Sequence, residues 1–254
     1  MTARVAVGRP SEAVRAFASA AAGILLAVAI LPFTMSWIES PELVATLRFA
    51  AFAVAIPALG AIGAPWRALG IRASVLERLA RRRAARPQLW HAVVWLCLDV
   101  AVIVAWRTPA LGDAVANHAW LVVPQAVTLL AAGVALWLEL VASPPFAPRG
   151  SVAARGVLGA VAMWSIWTVA YVEGMSSRPW YSALHHAAGS GLSATADRQA
   201  SAAALWAVTA ACFLPLEFVC LFAWLRAESK REDPTAARLR EEREGSAAGG
   251  LPTG

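Results

Sequence analysis

From His118 to Leu138 the chain reads HAWLVVPQAVTLLAAGVALWL, without a single charged side chain. At about 1.5 Å per residue, a helix of this length reaches across a hydrocarbon layer about 30 Å thick. The stretch has no two-residue alternation of the kind a barrel strand needs, and lipid offers no partner to unpaired backbone groups. It therefore predicts a membrane-spanning helix. Comparable runs extend from Ala16 to Ile38, Phe49 to Trp66, Leu89 to Trp106 (broken only by Asp99), Gly156 to Val172, and Gln199 to Leu225 (broken only by Glu217). The expected fold is all-α: a polytopic transmembrane helical bundle of about six spanning helices.

Composition and charge agree with this. Hydrophobic residues make up 59% of the chain and charged residues 15%, outside the range of an ordinary soluble domain. A formal net charge of +6 would by itself suggest a nucleic-acid partner. The location of the charges argues against one: of 22 Lys and Arg residues only Arg48, Arg107, Arg178 and Arg198 fall on one side of the spans. The rest border the spans on the other side, which predicts both termini in the cytoplasm. The cluster Arg78, Arg81, Arg82, Arg83 and Arg86 should orient the chain and touch anionic headgroups of the membrane lipid. The first run, followed by Trp37, Glu39 and Pro41, is too long and wrongly flanked for a cleaved signal peptide.

Two units are expected, an integral membrane helical domain over residues 1–226 and a charged, partly disordered cytoplasmic tail over 227–254, into which the last helix continues briefly. The loop between the second and third runs should hold a short amphipathic helix around Val75 to Leu79. Cys97, Cys212 and Cys220 all lie in apolar runs and read as packing residues. On the side away from the arginines lie three loops: Glu39 to Pro41, Arg107 to Asn117, and Glu173 to Arg198. The last carries Arg178, Trp180, Tyr181, His185, His186 and Asp197, and loops of that length tend to be functional.

Three stretches together resemble the CtaG family of assembly proteins for caa3-type cytochrome c oxidase. Pro57 and then Leu59 to Gly63, Ala64 and Pro65 are similar to the family's apolar stretch ending in Gly-Ala-Pro. From Trp106, WRTPALGDAVANHAWLVVPQAVTLLAAGVALW resembles the family's Trp-His-x-Pro-Ala-Leu-x-Asp motif and the helix after it. Arg178, Pro179, Tyr181, Leu192, Ser193, Asp197, Gln199 and Trp206 resemble its loop and the start of its last helix. The resemblance implies an integral membrane assembly factor for a haem-copper cytochrome c oxidase. Such a factor would act as a scaffold or in copper-centre maturation, with oxidase subunits or copper-delivery proteins as partners.

The departures concern copper. The family pattern has histidines where this chain has Ala45 and Phe49, Arg107, and Val122 and Ala126. Alanine, valine and phenylalanine have no lone pair for a metal, and Arg107 puts a permanent positive charge where a cation should sit. Copper is thus possible by resemblance only. His118, His185 and His186, with Met175 or Met35 as thioethers, are weak substitutes. An alternative function follows from the same loss: a structural or accessory subunit of another membrane complex that kept the fold and gave up metal binding.

Other candidates are weighed singly. Asp99 lies mid-span, where an ionised carboxylate costs about 2.5 to 3.5 kcal/mol, so it should face the bundle, be protonated, or both. Glu217 is its only obvious companion for a relay, and a transporter reading rests on those two alone. Arg107 is expected to snorkel and to pair with Asp113, Glu39 or Glu173, the alternative being contact with a partner or an anionic group. Arg178, Tyr181, Asp197 and Gln199 are further candidates from the resemblance. There is no GxSxG, HExxH or phosphate-cradling glycine loop, which disfavours an enzyme.

Overall fold

The computed structural model describes residues 10–31, 40–66, 68–85, 89–176, 180–187 and 193–248, with side chains omitted at 89, 185–187, 194 and 230–248. Among the described residues it is helical throughout, with one isolated bridge between Ser143 and Phe146. We label the helices α1 (Glu12–Ile30), α2 (Pro41–Gly63), α3 (Ala73–Ala84), α4 (Leu89–Trp106), α5 (Pro109–Asn117), α6 (Ala119–Leu140), α7 (Val152–Met175), α8 (Ser182–Ala187) and α9 (Ala194–Ala248). Five of them, α1, α2, α6, α7 and α9, are long and apolar enough to cross a membrane, and α4 with α5 makes a sixth span if that bent pair is counted as one. The chain is a multi-pass helical membrane protein.

Local sequence explains where the helices begin. Serine hydroxyls accept from backbone amides in the first turn at Ser11, Ser40, Ser151 and Ser193, and Pro41 follows Ser40 at the position where its missing amide costs nothing. Within α2 a π-helical turn over Ala51–Ala55 precedes Pro57, whose ring and missing N–H do not fit a regular α ladder. Between α4 and α5 the axis turns by 63° at Arg107 and Thr108, just before Pro109. The clash of a proline ring with the preceding residue disfavours α geometry there.

Small residues set the helix spacing. Gly63 of α2 lies against the Ser19 backbone of α1, and Gly133 of α6 against the Pro57 ring, so close that a methyl at either would collide. Without a hydrophobic force between helices in lipid, such close approach and a few polar contacts decide the packing. The core holds Phe49, Phe52, Ile103, Leu129, Leu136, Trp137, Ile166, Leu205 and Phe213, with the Trp137 and Phe213 rings 4.8 Å apart. Large apolar side chains such as Val157, Trp164, Trp206, Phe218 and Phe222 are exposed on the spans, as they should be where the solvent is hydrocarbon. Helix α9 lies mainly along α7 and touches α2, α1 lies along α2, and α4 packs on α6 and α7.

Two expectations change in extent. The amphipathic helix in the arginine-rich loop is longer than Val75 to Leu79, running over Ala73–Ala84 with Leu76 buried and Arg81, Arg82 and Arg83 in its last turn, where they complement the helix dipole. Helix α9 runs on to Ala248, well past the brief continuation expected, through a segment rich in Ala, Arg and Glu, strong helix formers that outweigh Pro234 and Gly245.

At the basic end, where the arginine-rich loops gather, the C-terminus of α6 is held by arginines. Glu139 is buried there, 3.0 Å from Arg83 and 3.3 Å from Arg149. Arg83 also donates to the Leu138 carbonyl at 2.6 Å, and Arg155 to that of Leu140 at 3.3 Å, satisfying carbonyls that a helix end leaves without partners.

Candidate functional site

At the opposite end the bend between α4 and α5 turns Arg107 into the bundle. Its side chain is only 5% exposed. The guanidinium donates to Glu173 of α7 through both Nε, at 2.6 Å, and Nη2, and through Nη1 to Thr46 Oγ1 at 3.2 Å. Its carbon lies 5.0 Å from the Phe49 ring centroid and 5.4 Å from that of Tyr181, so two aromatic faces flank the cation. A two-pronged pair of this kind uses the planar fork that only arginine offers. The expectation of a snorkelling Arg107 is corrected: the group is sealed inward, because carboxylate, hydroxyl and rings on three neighbouring elements solvate it in place of water.

The break also frees a backbone group. The Arg107 carbonyl accepts from Trp180 Nε1 at 2.9 Å and from the Tyr181 hydroxyl at 3.4 Å, and that hydroxyl lies equally near Glu173 Oε1. Tyr181 is buried over Gly112 of α5, where any Cβ would run into its ring. Burial raises its phenol above the ordinary value despite the opposing pull of Arg107. Asp113 is not the partner of Arg107: it accepts from Ser182 Oγ at 2.7 Å and from the Ala183 amide at 3.0 Å, tying the start of α8 to α5.

Other candidates fall around this centre. Asp197, buried at the start of α9, accepts from the Ser40 hydroxyl at the start of α2. Glu42 interacts electrostatically with Asp197, Arg107, Arg198 and Glu173, so the cluster joins α2, α4, α7 and α9. Gln199 and His118 are exposed, and Met175 is exposed at the end of α7. Arg178, Met35 and Glu39 lie outside the described residues, as do the side chains of His185 and His186, whose backbone belongs to α8. Asp99 is buried within the bundle, as expected, with Oδ1 lacking a hydrogen-bond partner among the described residues, and Glu217 packs on Gly159 of α7. No hydrogen bond joins Asp99 to Glu217 among the described residues.

A copper ion does not fit the donors at the family's histidine positions. Phe49 and Arg107 do converge, but they bring together a ring and a permanent cation already saturated by Glu173. Ala45, Val122 and Ala126 contribute no lone pair. The arrangement is a charge-paired clamp on four helices, and its chemistry is structural: it fixes the kinked α4–α5 unit and orders the segment around Trp180 and Tyr181.

Sequence reasoning named Glu173 as one of three possible partners and missed Thr46, Ser40 and Glu42. Their signal is weak, since Ser40 at a helix start reads first as a cap, Glu42 as an ordinary first-turn acid, and Thr46 as a lone hydroxyl inside α2.

Against this geometry, comparison with curated proteins and with solved structures gave no significant match. A family model described as cytochrome c oxidase caa3 assembly factor, by contrast, matches residues 2–227, which takes in α1 to α8 and α9 as far as residue 227. The chain belongs to the family of cytochrome c oxidase caa3 assembly factors.

Proposed function

We propose that this chain is a non-catalytic assembly factor for a haem-copper cytochrome c oxidase. It works in the bacterial inner membrane with both termini in the cytoplasm, and holds an immature oxidase component without ligating copper itself. One observation carries the scaffold part of this reading: a sealed Arg107–Glu173 pair stands where a metal-transferring relative would need open nitrogen ligands. A buried, fully paired guanidinium repels a cation and ties helices in one register, which suits a rigid platform better than a metal relay. The segment from Trp180 to Ala187, anchored through Arg107 and Asp113, then presents the platform's outer surface to the partner.

The test is a deletion strain. Its oxidase should lose haem signal in the reduced-minus-oxidised spectrum, and added copper in the medium should not restore it. A normal oxidase in the deletion strain removes the assembly role, and rescue by copper alone replaces the scaffold with a supply function. Reporters fused after Arg226 and inserted near Ser190 test the orientation. The first should behave as cytoplasmic and the second as external.

A further inference from the structure

At the basic end, between α3, the start of α4 and the end of α6, lies a groove of about 760 Å³. Arg82, Arg83 and Arg149 supply one wall, Leu138 and Phe146 supply apolar surface, and His91 stands at the start of α4. The charge is unbalanced: Glu139 is shared by Arg83 and Arg149, and among the described residues Arg82 has no ion pair. Three guanidiniums thus face one carboxylate. Among the described residues Arg149 Nε is buried without a hydrogen-bond partner, which is costly unless something else accepts from it. Burial also pushes the Arg83 guanidinium below its ordinary value, with Glu139 opposing the shift.

The depth of the groove narrows what fills it. The apolar span of α6 ends at Leu140 and that of α4 begins at Trp90, which places the groove where hydrocarbon gives way to headgroups. Leu79 of α3 lines the groove as well, and Val75, one turn earlier on that helix, is likewise nearly half exposed. A ligand that carries a phosphate and an acyl chain meets both halves of such a site, whereas a free phosphate meets only one.

We propose that this groove is a binding site for an anionic phospholipid, with Arg82 and Arg149 on the phosphate and Leu138 and Phe146 against the glycerol and first acyl carbons. Arg83, already engaged by Glu139 and the Leu138 carbonyl, positions the wall. The bound lipid cross-links α3 to the spanning helices at the loop that carries most of the basic charge.

The experiment uses delipidated full-length protein in a neutral detergent and follows Tm during titration with phosphatidylglycerol, phosphatidylcholine or inorganic phosphate. Phosphatidylglycerol should raise Tm saturably and phosphatidylcholine should not. Arg82→Gln, at an exposed position that leaves the fold intact, should weaken the apparent affinity about fivefold, the factor that ~1 kcal/mol per basic residue amounts to. Arg78→Gln removes the same charge from the same helix outside the groove and should change it less than about twofold. Equal losses in the two variants mean diffuse attraction to a basic surface and overturn the site. No shift with phosphatidylglycerol overturns it outright, and an equal shift with inorganic phosphate alone overturns the assignment to lipid.

Discussion

The Arg107–Glu173 pair makes a quantitative claim about the fold. In Glu173→Gln the guanidinium stays charged, because arginine does not give up its proton in a protein, and it stays buried with one amide oxygen, Thr46, two aromatic faces and the pull of Glu42 in place of its paired carboxylate. Breaking one side of a buried pair costs about 3 to 5 kcal/mol, and the remaining contacts put this case at the lower end, about 3 kcal/mol. Arg107→Met strands a carboxylate instead. That group escapes by taking up a proton, so the cost is smaller, about 2 kcal/mol. The double variant Arg107→Met, Glu173→Leu removes both charges together and should lie within about 1 kcal/mol of the original chain, because apolar replacement of a buried pair is often neutral or better. Unfolding in mixed micelles, followed by helical circular dichroism as sodium dodecyl sulfate is increased, measures all four corners of the cycle. Strong coupling between the sites and little dependence on ionic strength are expected. Single losses under about 1 kcal/mol, or a double variant as unstable as the two singles added together, would mean that the pair behaves like a solvated surface contact. The clamp would then be refuted.

Three further outcomes follow from the same geometry. The raised pKa of the Tyr181 phenol makes its contribution complete below the ordinary phenol value near pH 10; above it the unfolded chain ionises while the folded one does not. Stability should therefore fall by about 1.4 kcal/mol per pH unit there, and Tyr181→Phe, compared between about pH 9 and pH 11, should lose that slope. At the basic end, Glu139→Gln leaves Arg83 and Arg149 facing each other with no carboxylate, at a cost of about 3 kcal/mol in the same unfolding assay; an unchanged midpoint would show that water reaches the pair. Elemental analysis of the purified protein should find no stoichiometric copper at Ala45, Phe49, Arg107, Val122 and Ala126, and any copper found should disappear in the double variant His185→Ala, His186→Ala. Copper that persists there points instead to His118 and the methionines.

The spans were legible because charge is excluded from hydrocarbon so strictly that its absence marks a helix by itself. The same rule hid the partners. Glu139 stands one residue beyond the uncharged run that ends at Leu138, where an acidic residue reads as a boundary marker; only the return of α3 and of the loop carrying Arg149 makes it a buried ion-pair centre. Arg107 was legible as a departure from the family pattern, and Glu173 as one of three acids within reach. Choosing among Asp113, Glu39 and Glu173 required the bend at Pro109, which points the side chain inward at α7 and leaves Asp113 to hold the start of α8. Distant pairs such as Ser40 with Asp197 leave no periodic trace, since each residue lies at a helix start where hydroxyls and carboxylates are common for local reasons.

Both ends of the bundle use one device. In lipid the apolar faces of helices gain nothing by leaving one solvent for another, so contact between alanine- and glycine-rich surfaces alone leaves their register weakly fixed. A charged group that must be satisfied fixes it strongly, because any slip strands the charge at a cost of several kcal/mol. Arg107 does this where α4 breaks, reaching α2 through Thr46 and Phe49 and α7 through Glu173. Glu139 does it at the other end, drawing Arg83 of α3 and Arg149 of the following loop onto the terminus of α6. The signs are reversed, an arginine buried among acceptors at one end and a glutamate buried among donors at the other. Exchanging a central charge for its opposite at either end should therefore be far more damaging than removing a whole pair.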